Sequence, residues 1–133
     1  LRLSALPPLP FNTAKPRPGD VTVVLDPSKR YQTFMGFGGA FTESSAKVVQ
    51  KLSSENQERI INSYFREDSG LGYTFGRVHM TSCDFSDGNW TCCDEPYDMH
   101  LKTFSVERFQ EAIFPMIRRA QKASGKPLKL LAS

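Results

Sequence analysis

Two charged residues near the second predicted strand are the strongest candidates for a functional role. Arg77 lies within the apolar segment 73–80, and Asp84 follows shortly after that segment ends. In an α/β barrel the carboxyl ends of the strands carry the active site, so Asp84 is expected to point into it. An unpaired buried guanidinium is costly, so Arg77 is expected to face a carboxylate, in an active site or in a purely structural ion pair. The other loop acids are typical of a solvated surface: Asp87, Asp94, Glu95 and Asp98.

The glycine-rich run Gly36-Phe37-Gly38-Gly39-Ala40-Phe41 admits two interpretations. A dinucleotide-binding fingerprint needs Gly or Ala at its sixth position, where this run has Phe41, and a helix that begins directly after it. Glycines in an inner barrel strand, where side chains and backbones crowd together, explain the run better.

The histidines and cysteines could form a zinc site, but their spacing does not favour one. The candidates are His79, Cys83, Cys92, Cys93 and His100. No Cys-x-x-Cys pair is present, and two adjacent cysteines do not easily face one ion. Cys83 is instead predicted to be a small buried residue at a strand end. Cys92 and Cys93 could pair with cysteines outside this segment.

The first crossover that positions these residues is predicted to be helical in two pieces. Apolar residues recur at helical spacing across 42–65, after a strand that ends near Phe41. Ser54 and Gln57 have the spacing of a capping box, so a second helix is predicted to begin there.

The second crossover follows the long polar loop 81–103. Ser105 is predicted to cap its helix, Pro115 to kink or restart it, and Gly125 to end it before an apolar strand over 128–131. The resulting β-α-β-α-β order predicts a parallel sheet with right-handed crossovers. Such a three-stranded sheet has two bare edges, so we expect it to belong to a larger fold.

The first 34 residues are expected to be all-β. Residues 1–20 are proline-rich and therefore extended, and strands are predicted over 21–25 and 31–34.

The composition is that of an ordinary globular protein, with 39% hydrophobic and 23% charged residues and a net charge of +3. No basic stripe favours nucleic acid as a partner. The chain opens on Leu1 rather than Met, which leaves targeting undecided.

Two longer motifs occur in order and at a matched separation. They are Gly36-Phe37-Gly38-Gly39-Ala40-Phe41-Thr42 and Arg77-Val78-His79-Met80-Thr81-Ser82-Cys83-Asp84-Phe85-Ser86. With the terminal Leu130-Leu131-Ala132-Ser133, they resemble glucosylceramidases of glycoside hydrolase family 30. Phe41 stands where relatives often have Met, and His79 stands where a proline is common.

The resemblance implies that residues 35–133 are the first three strands and two helical crossovers of a (β/α)8 TIM barrel. Residues 1–34 would be strands of an attached β-sandwich. It also implies that Asp84 hydrogen-bonds glucose hydroxyls, that Arg77 supports the acidic side of the active site, and that Phe85 lies nearby in the pocket.

The implied activity is that of a retaining glycosidase with two catalytic glutamates. In the family these follow the fourth and seventh barrel strands, whereas this chain is expected to stop at the third. No catalytic residue is therefore assigned, and Glu43, Glu55 and Glu95 are not given the role. The segment alone is expected to be inactive.

The implied substrate is glucosylceramide or another β-glucoside, with no cofactor, no metal and no nucleic acid. Membrane-surface lipid and a lipid-presenting activator protein are implied partners. The resemblance, with slight help from the sequon Asn89-Trp90-Thr91, favours a lysosomal or secreted glycoprotein modified at Asn89. Two alternatives remain: a truncated, non-catalytic binding or regulatory protein with the same partial fold, and another glycosidase of the family such as a β-xylosidase.

Overall fold

The predicted alternation of strands and helices is confirmed. A computed structural model describes Ser4 and residues 6–133. The elements in chain order are β1 (Gly38–Phe41), α1 (Glu43–Gln50), α2 (Ser54–Phe65), β2 (Phe75–Val78), α3 (Glu107–Glu111), α4 (Ile113–Ser124) and β3 (Lys129–Ala132). Each crossover is a pair of helices. In the part of the chain just given, no helix is long and apolar enough to cross a membrane.

The three strands form one parallel sheet in the order β1-β2-β3. Ala40 pairs with Arg77, which pairs with Leu131, so the strands run in step. Since all three strands point the same way, their carboxyl ends meet at one edge of the sheet. The residues that directly follow the three strands at this edge are Thr42, His79 and Ser133.

The first crossover is divided into two helices, and a serine caps the second one, as predicted. The cap lies one residue earlier than predicted. The side chain of Ser53, not Ser54, accepts a hydrogen bond from the backbone N–H of Asn56 at 3.3 Å. Gln57 takes no part in a capping box. Its side-chain amide donates instead to the carbonyl of Leu52 at 2.8 Å, a group left without a helical partner.

The second crossover restarts before its proline. The backbone turns at Ala112, and Pro115 is the third residue of α4, where its missing N–H costs no helical hydrogen bond. Gly125 ends α4 with φ of +64°, as predicted for a left-handed helix cap.

The helices pack on one face of the sheet and form the hydrophobic core with it. Phe41 of β1 stacks on Phe65 of α2 with ring centroids 5.7 Å apart. Gly76 makes room for this pair, because a Cβ there would lie 2.4 Å from the Phe41 ring. The other fully buried apolar residues include Ile61, Ile113, Ile117, Ala120 and Leu128.

The strands predicted before residue 35 are not formed. Residues 1–33 separate from 34–133 as a unit, and within its described residues the backbone makes only turns, such as Asp20 N–H to Arg17 O at 3.0 Å. The segment 21–25 has the β-branched composition of a strand, yet Val23 is 79% exposed. A strand needs a neighbour for its N–H and C=O groups, and no other strand is present in that unit's described part. The attached β-sandwich therefore stays a prediction.

Candidate substrate-binding site

Asp84 and Phe85 lie at the tip of a tight turn beyond the carboxyl end of β2. Ser86 N–H donates to the carbonyl of Cys83 at 2.9 Å, and the Ser86 hydroxyl accepts from Cys83 N–H at 3.0 Å. Both tip side chains are exposed, Phe85 by 64%. Among the described residues none donates a hydrogen bond to the Asp84 carboxylate. The turn therefore presents a free acceptor beside an aromatic face.

Arg77 does not face a carboxylate in the described part of the chain, contrary to expectation. Its Nε donates to the hydroxyl of Ser133 at 2.9 Å, and its Nη2 donates to the Ser133 carbonyl at 3.0 Å. The half-exposed guanidinium needs no buried counter-ion, because oxygens just past the end of β3 satisfy it. Arg77 thus ties the carboxyl ends of β2 and β3 together and is not paired with Asp84.

The loop that carries the turn closes on itself and on the start of α1. Ser82 N–H donates to the carbonyl of Trp90 at 3.1 Å, which closes the loop at its base. Ser44 N–H donates to the carbonyl of Phe85 at 2.9 Å. The tip is therefore bonded directly to the element that follows β1.

Glu43 is a buried carboxylate that the sequence interpretation did not recognise as a structural centre. It is 2% exposed, and both oxygens accept hydrogen bonds. Its Oε1 receives Lys47 Nζ at 2.9 Å and Arg108 Nε at 3.1 Å. Its Oε2 receives the Trp90 indole N–H at 3.1 Å and the backbone N–H of Asp87 at 3.4 Å. The i,i+4 spacing of Glu43 and Lys47 was the one signal of this arrangement in the sequence.

The donors decide the charge of Glu43. Burial alone raises the pKa of this carboxyl, but the hydrogen bonds from Lys47, Trp90 and Arg108 outweigh it and bring the pKa to about 2. Glu43 is therefore ionised with no proton to give to a leaving group.

Two cations complete the cluster around Glu43. Hydrogen bonds from Lys47 to Asp87, at 2.8 Å, and to Glu43 raise the pKa of the lysine. The Arg108 guanidinium lies 4.9 Å from the centroid of the Trp90 ring, at cation–π distance. The cluster therefore joins α1, α3 and the loop after β2.

His79 is buried among aromatic rings rather than at a ligand site. It is 2% exposed, and its ring lies 5.8 Å from that of Trp90 and 5.7 Å from that of Phe109. Its Nδ1 contacts the carbonyl of Thr81, and its Nε2 has no hydrogen-bond partner among residues 6–133. His79 thus packs into the core at the strand end.

The described residues do not gather the three or more histidine, cysteine or acidic side chains that a zinc site needs. The thiol of Cys92 donates to the carbonyl of Met80 at 3.0 Å, and burial, with a smaller effect from Asp94, raises its pKa. Cys83, Cys92 and Cys93 are free thiols. Cys83 is half-buried, not fully buried as predicted.

Three loop acids order the loop instead of merely facing solvent. Asp87 binds Lys47, Asp94 accepts from the Thr91 hydroxyl at 2.6 Å, and Asp98 accepts from Thr103 N–H at 2.7 Å. Glu95, like Asn89 of the sequon, is exposed. Asp87 and Asp94 are exposed, as expected of a solvated loop, and all three acids also accept hydrogen bonds within the protein.

Known proteins share both the sequence and the fold of this chain. The family model for the glycosyl hydrolase family 30 TIM-barrel domain matches residues 34–133. A candidate glucosylceramidase of Caenorhabditis elegans is 42% identical over 113 residues, covering 84% of this chain and 21% of its own length. The lysosomal acid glucosylceramidase of Mus musculus is 39% identical over 112 residues, covering 84% and 22%.

An endo-beta1,6-glucanase of known structure superposes with a TM-score of 0.73 at 24% identity, which indicates a shared fold. The superposition covers 82% of this chain and 23% of the glucanase. The chain also spans only about a fifth of the length of the curated relatives that it matches. With three parallel strands, paired-helix crossovers and a domain match over residues 34–133, the chain belongs to glycosyl hydrolase family 30.

Proposed function

We propose that these residues are the first part of a longer retaining glycoside hydrolase that cleaves the β-glucosyl bond of glucosylceramide to glucose and ceramide. The observation that carries the proposal is the family match over residues 34–133, within which the exposed Asp84 turn lies at the carboxyl edge of the sheet. In a barrel this edge is where substrate binds. The names of the two relatives point to the same substrate class.

Asp84 and Phe85 bind the sugar in this proposal. A free carboxylate accepts hydrogen bonds from two neighbouring hydroxyls of a glucosyl ring, and an exposed aromatic face packs against the C–H groups of the ring. Arg77 does not contact the sugar in this proposal. Its hydrogen bonds fix Ser133 at the end of β3. Arg77 thereby sets the spacing between neighbouring strand ends and supports the acidic side of the site.

The reaction proceeds by double displacement. One glutamic acid protonates the glycosidic oxygen as the bond to ceramide breaks. A second glutamate, about 5–5.5 Å away, attacks the anomeric carbon, and water then hydrolyses the glycosyl-enzyme. Both carboxyl groups come from later barrel strands of the longer chain. The described residues contribute glucose binding, and no cofactor takes part.

The substrate class extends the proposal to partners and location. Ceramide is held in a lipid surface, so the enzyme works at a membrane surface, with a lipid-presenting activator protein as a second partner. A lysosomal or secreted location follows, and Asn89 is an exposed glycosylation acceptor in that setting.

The test uses the complete natural protein that carries these residues, assayed with a fluorogenic β-glucoside and with glucosylceramide. Asp84→Ala removes hydrogen bonds to a charged acceptor, worth about 1.5–3 kcal/mol, so kcat/KM is expected to fall roughly tenfold to a hundredfold. The control is Glu95→Gln, an exposed acid in the same loop, which is expected to leave kcat/KM unchanged. Unchanged kinetics in Asp84→Ala contradict the binding role. Glucoside binding without any turnover favours a non-catalytic binding protein.

A further inference from the structure

The Asp84 turn has little of its own to hold it. Its internal hydrogen bonds join only Cys83 and Ser86, and its two tip side chains are exposed. A carboxylate that binds a sugar must nevertheless stay within a fraction of an ångström of one position. One restraint is the hydrogen bond from Ser44 N–H to the carbonyl of Phe85 at 2.9 Å. Any further restraint has to come from the residues that follow the turn.

The segment that follows the turn is bonded to the first turn of α1 through one side chain. Directly after the turn, Glu43 Oε2 accepts from Asp87 N–H at 3.4 Å. Three residues further along, the same oxygen accepts from the Trp90 indole N–H at 3.1 Å. Lys47 joins the two carboxylates by bonding Asp87 at 2.8 Å and Glu43 at 2.9 Å.

The position of Glu43 is itself fixed. The hydroxyl of Thr42 caps α1 by accepting from Ser45 N–H at 3.3 Å, so Glu43 is the first residue of a capped helix directly after β1. Arg108 of α3 closes the other side, with its Nε and Nη2 each 3.1 Å from Glu43 Oε1. The carboxylate thus connects β1, α1 and α3 to the loop after β2.

No other acid in the cluster can take over from Glu43. Asp87 and Glu111 are exposed, and Glu111 reaches only Lys47, at 3.6 Å. A glutamine at position 43 would offer one acceptor oxygen to the four donors that now share two. Its NH2 group would face either the two cations or the N–H groups of Trp90 and Asp87, which leaves donors without an acceptor in a buried site. The loop would then relax away from α1 at Asp87.

We propose that Glu43 is a positioning residue for glucoside binding, which holds the Asp84–Phe85 turn in place through Asp87 and Trp90. The inference rests on the proposed function for the identity of the ligand. It assigns Glu43 no contact with substrate and no proton transfer.

The kinetic test compares Glu43→Gln with Glu55→Gln in the complete natural protein. Glu55 is also an acid in the first turn of a helix, but it is exposed. Glu43→Gln is expected to raise KM for a β-glucoside roughly tenfold or more, by misplacing the turn. Asp87→Asn keeps the backbone donor and loses only the Lys47 ion pair, so a smaller rise in KM is expected from a variant with little risk of unfolding.

A double-mutant cycle separates positioning from mere loss of folded enzyme. In an Asp84→Ala background, the effect of Glu43→Gln on KM is expected to shrink, because only the contact of Phe85 with the sugar then remains to be positioned by Glu43. A purely structural role would lower the amount of active enzyme and leave KM unchanged in both backgrounds. That result would overturn the inference.

Amide hydrogen exchange in the same variants tests the inference without turnover. In Glu43→Gln the amides of Ser86 and Asp87 are expected to exchange faster, while those of β2 keep the wild-type rate. Equal exchange at Ser86 and Asp87 in both proteins overturns the inference. An absence of glucosidase activity in the wild type contradicts the proposed function alone, since the exchange result stands apart from it.

Discussion

At the scale of single residues, position along the chain predicted that Asp84 lies beyond the carboxyl end of a strand, but it missed the buried cluster around Glu43. Asp84 could be singled out because it follows a strand, and the carboxyl end of a strand is a place that sequence periodicity locates. The surroundings of Glu43 could not be predicted, because its donors come from four separate places in the chain. Arg77 was likewise expected to face a carboxylate. In the described residues its guanidinium donates to Ser133, a residue 56 positions further along the chain, which local sequence could not predict.

The buried charge of Glu43 makes stability depend on acid pH. Its pKa falls from an ordinary 4.5 to about 2 on folding, so its contribution is fully present above pH 4.5 and is lost as the pH falls towards 2. The shift corresponds to about 3 kcal/mol at neutral pH. The surrounding charges are Lys47, Arg108, Asp87 and Glu111.

Urea unfolding of the wild type and of Glu43→Gln between pH 6 and pH 2.5 measures this contribution. The variant is expected to be less stable at pH 6, and the difference is expected to shrink towards pH 2.5. A difference that stays constant across this range would show that the charge of Glu43 does not carry the effect.

At the scale of elements, the order of strands and helices was predictable and their ends were not. Apolar spacing located both crossovers, and Gly125 fixed one helix end because glycine, which has no Cβ, adopts a φ of +64° without strain. Two adjacent serines can each cap a helix, so the sequence did not decide between Ser53 and Ser54. In the structure the cap is Ser53, and the Gln57 side chain donates to the carbonyls of Gln50 and Leu52 at 3.2 Å and 2.8 Å.

The two serines make a matched pair of substitutions. Ser53→Ala removes the side-chain acceptor of Asn56 N–H and is expected to cost about 1 kcal/mol in the free energy of unfolding. Ser54→Ala lies in the first turn without that bond, so a change within about 0.5 kcal/mol is expected. Thermal or urea unfolding of both variants measures the difference. A larger loss in Ser54→Ala would assign the cap to the other serine.

At the scale of the molecule, the sheet has one face that is covered by helices and one strand, β3, that is exposed along its whole length. The helical face is packed by Phe41, Phe65 and their neighbours, and local periodicity predicted it. All four residues of β3 are exposed, whereas the strands of a parallel sheet are ordinarily covered on both faces. The β-branched segment 21–25 was predicted as a strand from composition, but composition does not supply the pairing partner that a strand requires.

The most direct test of the central proposal is the stereochemistry of the first product. The complete natural protein is incubated with an aryl β-glucoside, and the anomeric protons of released glucose are followed by NMR from the first minutes. A double displacement releases β-glucose first, with the α-anomer appearing only later through mutarotation. Release of α-glucose first, or of no glucose above the uncatalysed rate, would contradict a retaining β-glucosidase.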